Sequence, residues 1–425
     1  MEEKKDTGSL IQMLINTPSF WKKQQKDWKV TVVRTSLERL GYKIVYPYLS
    51  LFIISLGADK TQLGLMNSLG MLLVAFVSPI TGQILDNHGP KRVYISGIAL
   101  LLLSYLAYGV SGNWTWCILA MILYYLGSGL SMHSCATICG NCLLNCDRAK
   151  GMLVCESLAA GLLGMFGPQL GSFILNRIIG IPDTGATASQ YRYLFLVSAF
   201  FTFISLLLII RHLSNGQTAR ANKKVTLRAG WHLLKSNVNT RKWIVISAVQ
   251  RLPQAMILPF VTVFAQEIKT AGPELLATMV TASALSSVLL SYAIGVLADR
   301  FGRKKVLYVI YPLYWLALIL LIAARSPWMI IASGFFQGFN DISNPLSSAV
   351  QRELVEPEVM GTWIGVTNMT NNVICAIMAL VSGMVYDRVS PVAVFLIFIA
   401  LDLFVRMPLF VSIPETLHAE KKRIQ

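Results

Sequence analysis

Two stretches of the chain are variants of one another: Gly82-Gln-Ile-Leu-Asp86-Asn87-His88-Gly89-Pro90-Lys91-Arg92 and Gly295-Val-Leu-Ala-Asp299-Arg300-Phe-Gly302-Arg303-Lys304-Lys305. Each opens on a glycine, places an aspartate four residues on and a second glycine three beyond that, and closes on basic residues. They lie 213 residues apart. Working outward, nearly the same offset returns. Arg39-Leu40 followed by Pro47 recurs as Arg251-Leu252 followed by Pro259, 212 residues later. Gly171 and Gly383 are also 212 apart, and Gly151 and Gly361 are 210 apart. Matches in the same order at a near-constant offset mark an internal duplication.

The medium around the two copies follows from composition. The chain of 425 residues is 54% hydrophobic and 14% charged, with a mean hydropathy of +0.57; soluble domains carry about 25% charged residues. Apolar windows near the roughly 20 residues needed to cross a bilayer recur at 30–56, 61–85, 93–111, 114–140, 149–176 and 191–210. A second set lies at 243–266, 274–298, 306–324, 327–350, 359–386 and 391–413. Backbone polar groups in hydrocarbon must be satisfied by helices or a closed barrel. Barrel strands would alternate, and 93–110 and 198–210 do not. The expected fold is an all-α membrane protein with twelve transmembrane helices in two pseudo-symmetric six-helix bundles.

The charge of +16 could suggest a nucleic-acid partner, but its distribution excludes one. With both termini in the cytoplasm, 25 of the 37 Lys and Arg fall in the tails and loops of that side, 5 on the opposite side and 7 in the spans. That asymmetry is the positive-inside rule, and the basic stretches also meet anionic lipid. The expected organisation is a cytoplasmic tail (1–29), a first bundle (30–211), a basic cytoplasmic linker (212–241), a second bundle (242–413) and a cytoplasmic tail (414–425). No cleavable signal sequence opens the chain, and residues 10–21 read as a weak interfacial helix. The expected location is the cell membrane, as a monomer.

The stretch 295–305 resembles the signature loop of the major facilitator superfamily, which joins the second helix to the third and the eighth to the ninth. The copy at 82–92 keeps both glycines, the aspartate and a basic pair, departing at Asn87 and Pro90. The resemblance covers roughly residues 30–413. It implies two bundles rocking about a central cavity, as duplicated six-helix transporters do. It also implies a conformational role for Gly82, Asp86, Gly89, Lys91 and Arg92 and for Gly295, Asp299, Arg300, Gly302, Arg303 and Lys304. Physically, Gly82 and Gly295 suit close helix approach, and Asp86 and Asp299 could meet another helix's positive N-terminus. Gly164, Gly167, Pro168 and Gly171 partly resemble the glycine-proline motif of the family's antiporters, with Leu163 and Ser172 departing; close packing around a proline bend accounts for them equally well.

Charges inside the spans carry the functional reading, since each costs about 2.5–3.5 kcal/mol at the bilayer centre. Arg34/Glu38 and Arg39/Lys43 are each four residues apart and share a helix face. Arg34, near the start of the span, reads as snorkelling. Arg39 and Lys43 lie deeper and need an acid or a bound anion; Glu38 is one candidate. Arg251 repeats Arg39 on the opposite bundle. Two arginines suit bidentate grip of a carboxylate or phosphate, and the arrangement is similar to organophosphate/phosphate antiporters of the superfamily, with Arg39 and Arg251 at the matching positions and Lys43 beside them. Glu38-Arg-Leu-Gly41 followed by Pro47 also resembles drug/proton antiporters, where Glu38 would carry the coupling proton. The arginine expected in the fourth helix of that group is Leu123 here. Glu156 and Asp341 are alternative proton carriers. Asp402 and Arg406, four apart, are expected to pair with each other.

Cys135, Cys139, Cys142 and Cys146 share one helix face. A single straight helix cannot complete a tetrahedral site, so no metal and no cofactor is expected. No phosphate-binding loop appears, and Asn113-Trp114-Thr115, a glycosylation sequon hard against the membrane, is expected to be unmodified. No convergent nucleophile, base or metal set supports an enzyme. The reading is a secondary transporter working by alternating access on a small solute, with a coupling proton or counter-solute, and leaning to an organic or phosphorylated anion. The alternatives are a proton-coupled drug efflux antiporter and a non-transporting receptor on the same fold.

Overall fold

The computed structural model describes residues 22, 24–142, 160–180, 186–214, 238–354 and 360–413. Joined across short breaks, the described helices make twelve rods. The first six are α1 (Lys26–Val45 and Leu49–Ser55), α2 (Lys60–His88), α3 (Pro90–Val110), α4 (Trp114–Cys142), α5 (Ala160–Phe173, continued by Ile174–Ile179) and α6 (Ala188–His212). The second six are α7 (Val238–Leu252, Pro253–Ile257 and Leu258–Glu267), α8 (Pro273–Phe301), α9 (Arg303–Ala323), α10 (Pro327–Glu353), α11 (Met360–Arg388) and α12 (Pro391–Leu401, Asp402–Arg406 and Met407–Val411). The candidate interfacial helix 10–21 and most of the linker 212–241 lie outside the described residues.

The punctuation is local chemistry. Pro90, Pro273, Pro327 and Pro391 stand in the first turn of α3, α8, α10 and α12, where a missing N–H costs nothing. Pro47 cannot donate to the Lys43 carbonyl, and α1 breaks between Val45 and Leu49. Pro259, its repeat, follows the widened turn Pro253–Ile257 of α7. Asn113 is a cap before it is a sequon: its Oδ1 accepts from the Trp116 amide at 3.3 Å and the Thr115 hydroxyl at 2.6 Å.

Among the described residues nine rods are long and apolar enough to cross a membrane. The rods outside that set are α1, α10 and α5, the last described only from Ala160 onward. Each carries polar or small residues toward its neighbours: Arg34, Glu38, Arg39 and Lys43 on α1, Gln169 among glycines on α5, and Asn340, Asp341 and Asn344 on α10. Outward faces are apolar by contrast, with Phe200, Phe203 and Leu207 of α6 and Val309, Leu316 and Ile319 of α9 exposed, as lipid contact requires.

Within the halves α1 packs on α5 and α6, and α8 and α9 pack on α10. Between the halves α2 runs along α11 and α5 along α8. At the end of the bundle remote from the termini, here the distal end, the two halves share one apolar core. Phe52, Tyr108 and Phe195 of the first half belong to the same cluster as Phe260, Phe264 and Phe395 of the second. Toward the other end each described cluster belongs to one half. Tyr94, Ile98, Ile138, Ile209 and Leu213 form a cluster of the first half alone, and Trp243, Leu307, Tyr311, Val350 and Phe410 one of the second. The described polar contacts follow suit. The Tyr48 hydroxyl donates to the Pro273 carbonyl at 2.9 Å, Lys60 pairs with Glu267 at 2.9 Å, and Gln169 reaches Thr278 at 3.4 Å. Among the described residues the contacts between the halves therefore gather at the distal end.

One of these contacts is a helix cap supplied across the halves. Asp387, in the last turn of α11, accepts from both the amide and the hydroxyl of Thr61 at 2.7 Å, in the first turn of α2. A carboxylate at the C-terminal end of its own helix is disfavoured, and the N-terminus of α2 reverses that penalty. Asp387→Ala should weaken distal closure by about 1 kcal/mol, the usual worth of an N-cap. Spin labels placed on the distal ends of α2 and α11 should then report a larger separated population. An unchanged distance distribution would show that the cap contributes nothing to closure.

Candidate functional site

The first turns of the site lie on α1, and their arrangement corrects one expectation. Arg34 does not snorkel: it is 2% exposed. Its guanidinium donates to the Tyr94 hydroxyl at 2.8 Å and to the Ser131 hydroxyl at 2.6 Å, stacks over the Tyr94 ring at 4.5 Å and forms an ion pair with Glu38. Partners on α3 and α4 hold the charge inside, which α1 alone could not reveal. Glu38 is thereby engaged one turn away from the cationic pair it was a candidate to neutralise.

Arg39 and Lys43 face the cleft between the halves. Arg39 is exposed there, and the Lys43 ammonium sits over the Tyr46 ring at 4.8 Å. The acid that answers them comes from the other half: Asp341 of α10 interacts electrostatically with Lys43 first and Arg39 second. Arg251, on α7, is also exposed, and its electrostatic neighbour is Cys375 of α11, which acts as well on Tyr125 of the first half. The two arginines thus occupy corresponding helices but different surroundings. Around Lys43 and Arg39 stand tyrosines that the sequence did not single out. Tyr42 stacks on Tyr124 with ring centroids 5.8 Å apart and planes 19° apart; Tyr46, Tyr105 and Tyr125 close around this pair. The adjacent Tyr124-Tyr125 in mid-span was the available signal.

Glycines let α5 reach this part of α1. A Cβ on Gly167 would stand 2.6 Å from the Lys43 Cβ and 2.9 Å from the Leu40 carbonyl, and one on Gly171 2.6 Å from the Ile44 carbonyl. Gly164 lies beside Arg39 and Lys43 at ordinary contact distance. The glycine-proline segment is a packing surface for the helix that bears the cations.

The repeated loops divide differently from expectation. Gly89 and Gly302 have φ of 79° and 105°, values that favour glycine, and turn the chain into α3 and α9. Lys91 then donates to the Leu213 carbonyl at 2.5 Å, and Lys304 to the Val411 carbonyl at 2.8 Å and the Ile413 carbonyl. Each loop therefore ties carbonyls at the end of the sixth helix of its own half, a favourable place for a cation. Arg92 and Arg300 are exposed and Arg303 is partly so. No described atom lies within 4 Å of a Cβ built at Gly295. Glu156 and the surroundings of Gly82, Asp86 and Asp299 lie outside the described residues.

Asp402 and Arg406 pair at 2.5 Å in a widened turn of α12. Trp315 donates to the same carboxylate at 2.5 Å, and the guanidinium stacks on Tyr311 at 3.5 Å. This network is structural, inside the second half. Of the cysteine stripe only Cys135 has a described side chain, 3.8 Å from the Thr35 hydroxyl. Among the described residues no group of three or more His, Cys, Asp or Glu gathers as a metal site.

Comparison with known proteins agrees with this architecture. A multidrug resistance protein MdtG of Salmonella arizonae is 25% identical over 350 residues, spanning 80% of this chain and 82% of the relative. The solved nucleoside transporter NupG superposes with a TM-score of 0.73 at 16% identity, over 92% of this chain and 100% of that one. The human organic anion transporter MFSD10 superposes with a TM-score of 0.62 at 16% identity, over 90% of this chain and 99% of that one. At such identities the solved structures speak for the fold. The sequence profile described as Major Facilitator Superfamily matches residues 35–268 and 243–424. Taken with twelve rods in two halves about a polar cleft, the match makes this chain a multi-pass membrane transporter of the major facilitator superfamily.

Proposed function

We propose that the protein transports organic anions by alternating access, with the cytoplasm facing the open end of the cleft and both termini in it. One observation carries the reading. Arg39, Lys43 and Arg251 face the cleft, while Asp341 is the described carboxylate that acts on the first two. Glu38 is already paired to Arg34. Among the described residues the cleft therefore holds surplus positive charge in a low-dielectric setting, which an anion would balance. An entering carboxylate, sulfonate or phosphate competes with Asp341 for Lys43 and Arg39. Asp341, released, is placed to take up a proton, which would couple anion movement to a proton gradient.

The multidrug relatives favour a second reading, proton-coupled export of amphipaths, in which Glu38 or Asp341 carries the proton and cationic solutes are accepted. Flux in proteoliposomes separates the two. Arg39→Ala and Arg251→Ala should each cut the flux of an organic sulfonate roughly tenfold, the effect of losing about 1.4 kcal/mol of binding. Asp341→Asn should abolish its dependence on an imposed pH gradient. Sulfonate flux indifferent to both arginines, together with pH-driven export of a cationic dye, would replace the anion reading with the drug reading.

A further inference from the structure

We infer that the tyrosines beside the cationic pair form a ring-binding subsite, so that the solutes selected are aromatic anions: aryl carboxylates, sulfonates or phosphates. The inference rests on the anion reading above and narrows it. Tyr42 of α1 stacks nearly parallel on Tyr124 of α4, Tyr105 of α3 meets Tyr124 edge-on at 6.4 Å and 63°, and Tyr125 meets it at 5.9 Å and 81°. Tyr42, Tyr46, Tyr124 and Tyr125 are only half-buried. Part of each of these tyrosines thus stays accessible beside Lys43.

Two features join this surface to the charges. Tyr42 and Tyr46 flank Lys43 on the same helix, and Tyr42 interacts electrostatically with Arg39 and Asp341. Tyr125 interacts with Cys375, the neighbour of Arg251. The aromatic surface therefore runs from the Arg39/Lys43 side of the cleft toward the Arg251 side, across the line where the halves meet. A solute whose anionic group engages Lys43 or Arg39 lays its body along tyrosine rings.

The rings are also held in place. The Tyr125 hydroxyl donates to the Asn67 Oδ1 at 3.1 Å, and its ring lies where a side chain on Gly70 would stand. Pre-oriented ring faces reward a planar aromatic body by offset or edge-on stacking, and a saturated body of equal size and charge gains only area. The extra attraction corresponds to roughly two- to tenfold in affinity per ring contacted.

The test uses the full-length protein in proteoliposomes and two radiolabelled probes matched in charge and closely in size, benzenesulfonate and cyclohexanesulfonate. The unmodified protein should take up benzenesulfonate with a KM roughly tenfold lower than that for cyclohexanesulfonate. Tyr124→Leu and Tyr42→Leu should remove that preference by raising the KM for benzenesulfonate alone, and Tyr124→Phe should retain it. Equal uptake of both sulfonates by the unmodified protein overturns the ring subsite and leaves the anion reading standing. Uptake of neither, with tetraphenylphosphonium carried instead, overturns the anion reading itself. Because the probe comparison needs no variant, the inference stays open to refutation even if a leucine substitution fails to fold.

Discussion

Asp402→Leu lowers the stability of the protein by about 3–5 kcal/mol, the expected result of stranding a buried charge. Asp402 is fully buried and Arg406 nearly so, and both lie in the widened turn of α12. Removing the carboxylate leaves the guanidinium over the Tyr311 ring without its counter-charge and takes the acceptor from Trp315 Nε1. A cation–π contact of about 2 kcal/mol when desolvated cannot offset that loss. The double variant Asp402→Leu/Arg406→Met should recover most or all of the stability, because it removes the desolvation penalty together with the pair. Thermal unfolding in detergent, followed by size-exclusion of the surviving fraction, measures both. A single variant as stable as the double one would mean that Arg406 reaches water or another acid, contrary to the geometry.

Gly167→Val is the second large effect, and it strikes the site through packing. The first added atom would stand inside contact distance of the Lys43 Cβ and the Leu40 carbonyl. A backbone carbonyl in a helix cannot swing aside, so α5 and α1 must separate. Overpacking of this kind costs about 1–3 kcal/mol or more, and here it also displaces the helix carrying Arg39 and Lys43. Organic-anion flux per folded molecule should fall more than about tenfold, since small misplacement of positioning groups has effects of that size or larger. Gly295→Ala supplies the contrast. With open space around it, the substitution should leave thermal stability in this conformation within about 0.5 kcal/mol. Equal effects of the two substitutions would remove the distinction between a filled and an open glycine site.

Much of the fold was legible because membranes simplify the code. Hydrocarbon forces each apolar window into a helix, so the helices followed from hydropathy. The duplication was legible because it is a property of spacing. Local pairs were legible too: Asp402 and Arg406 are one turn apart, and helix geometry alone brings them together. Interactions between distant segments were not. Arg34 read as a snorkelling residue because nothing near it in sequence reveals that Tyr94 and Ser131 converge on it. Glu38 read as one candidate partner of Arg39 and Lys43 because it is their neighbour in the chain, although Asp341 of the opposite half is the acid that acts on them. The tyrosines escaped notice because a tyrosine in an apolar span looks like any other large residue until its ring finds another.

By itself the sequence determined a membrane-embedded duplication of six helices, the family, and the charges that had to be answered inside it. Tertiary structure decided which charge answers which, which glycines are filled, and at which end the halves meet. The reason is physical. Hydropathy and helical period act over one turn or one span, whereas burying a charge is a contract among side chains that only the packing of helices from both halves can bring within reach.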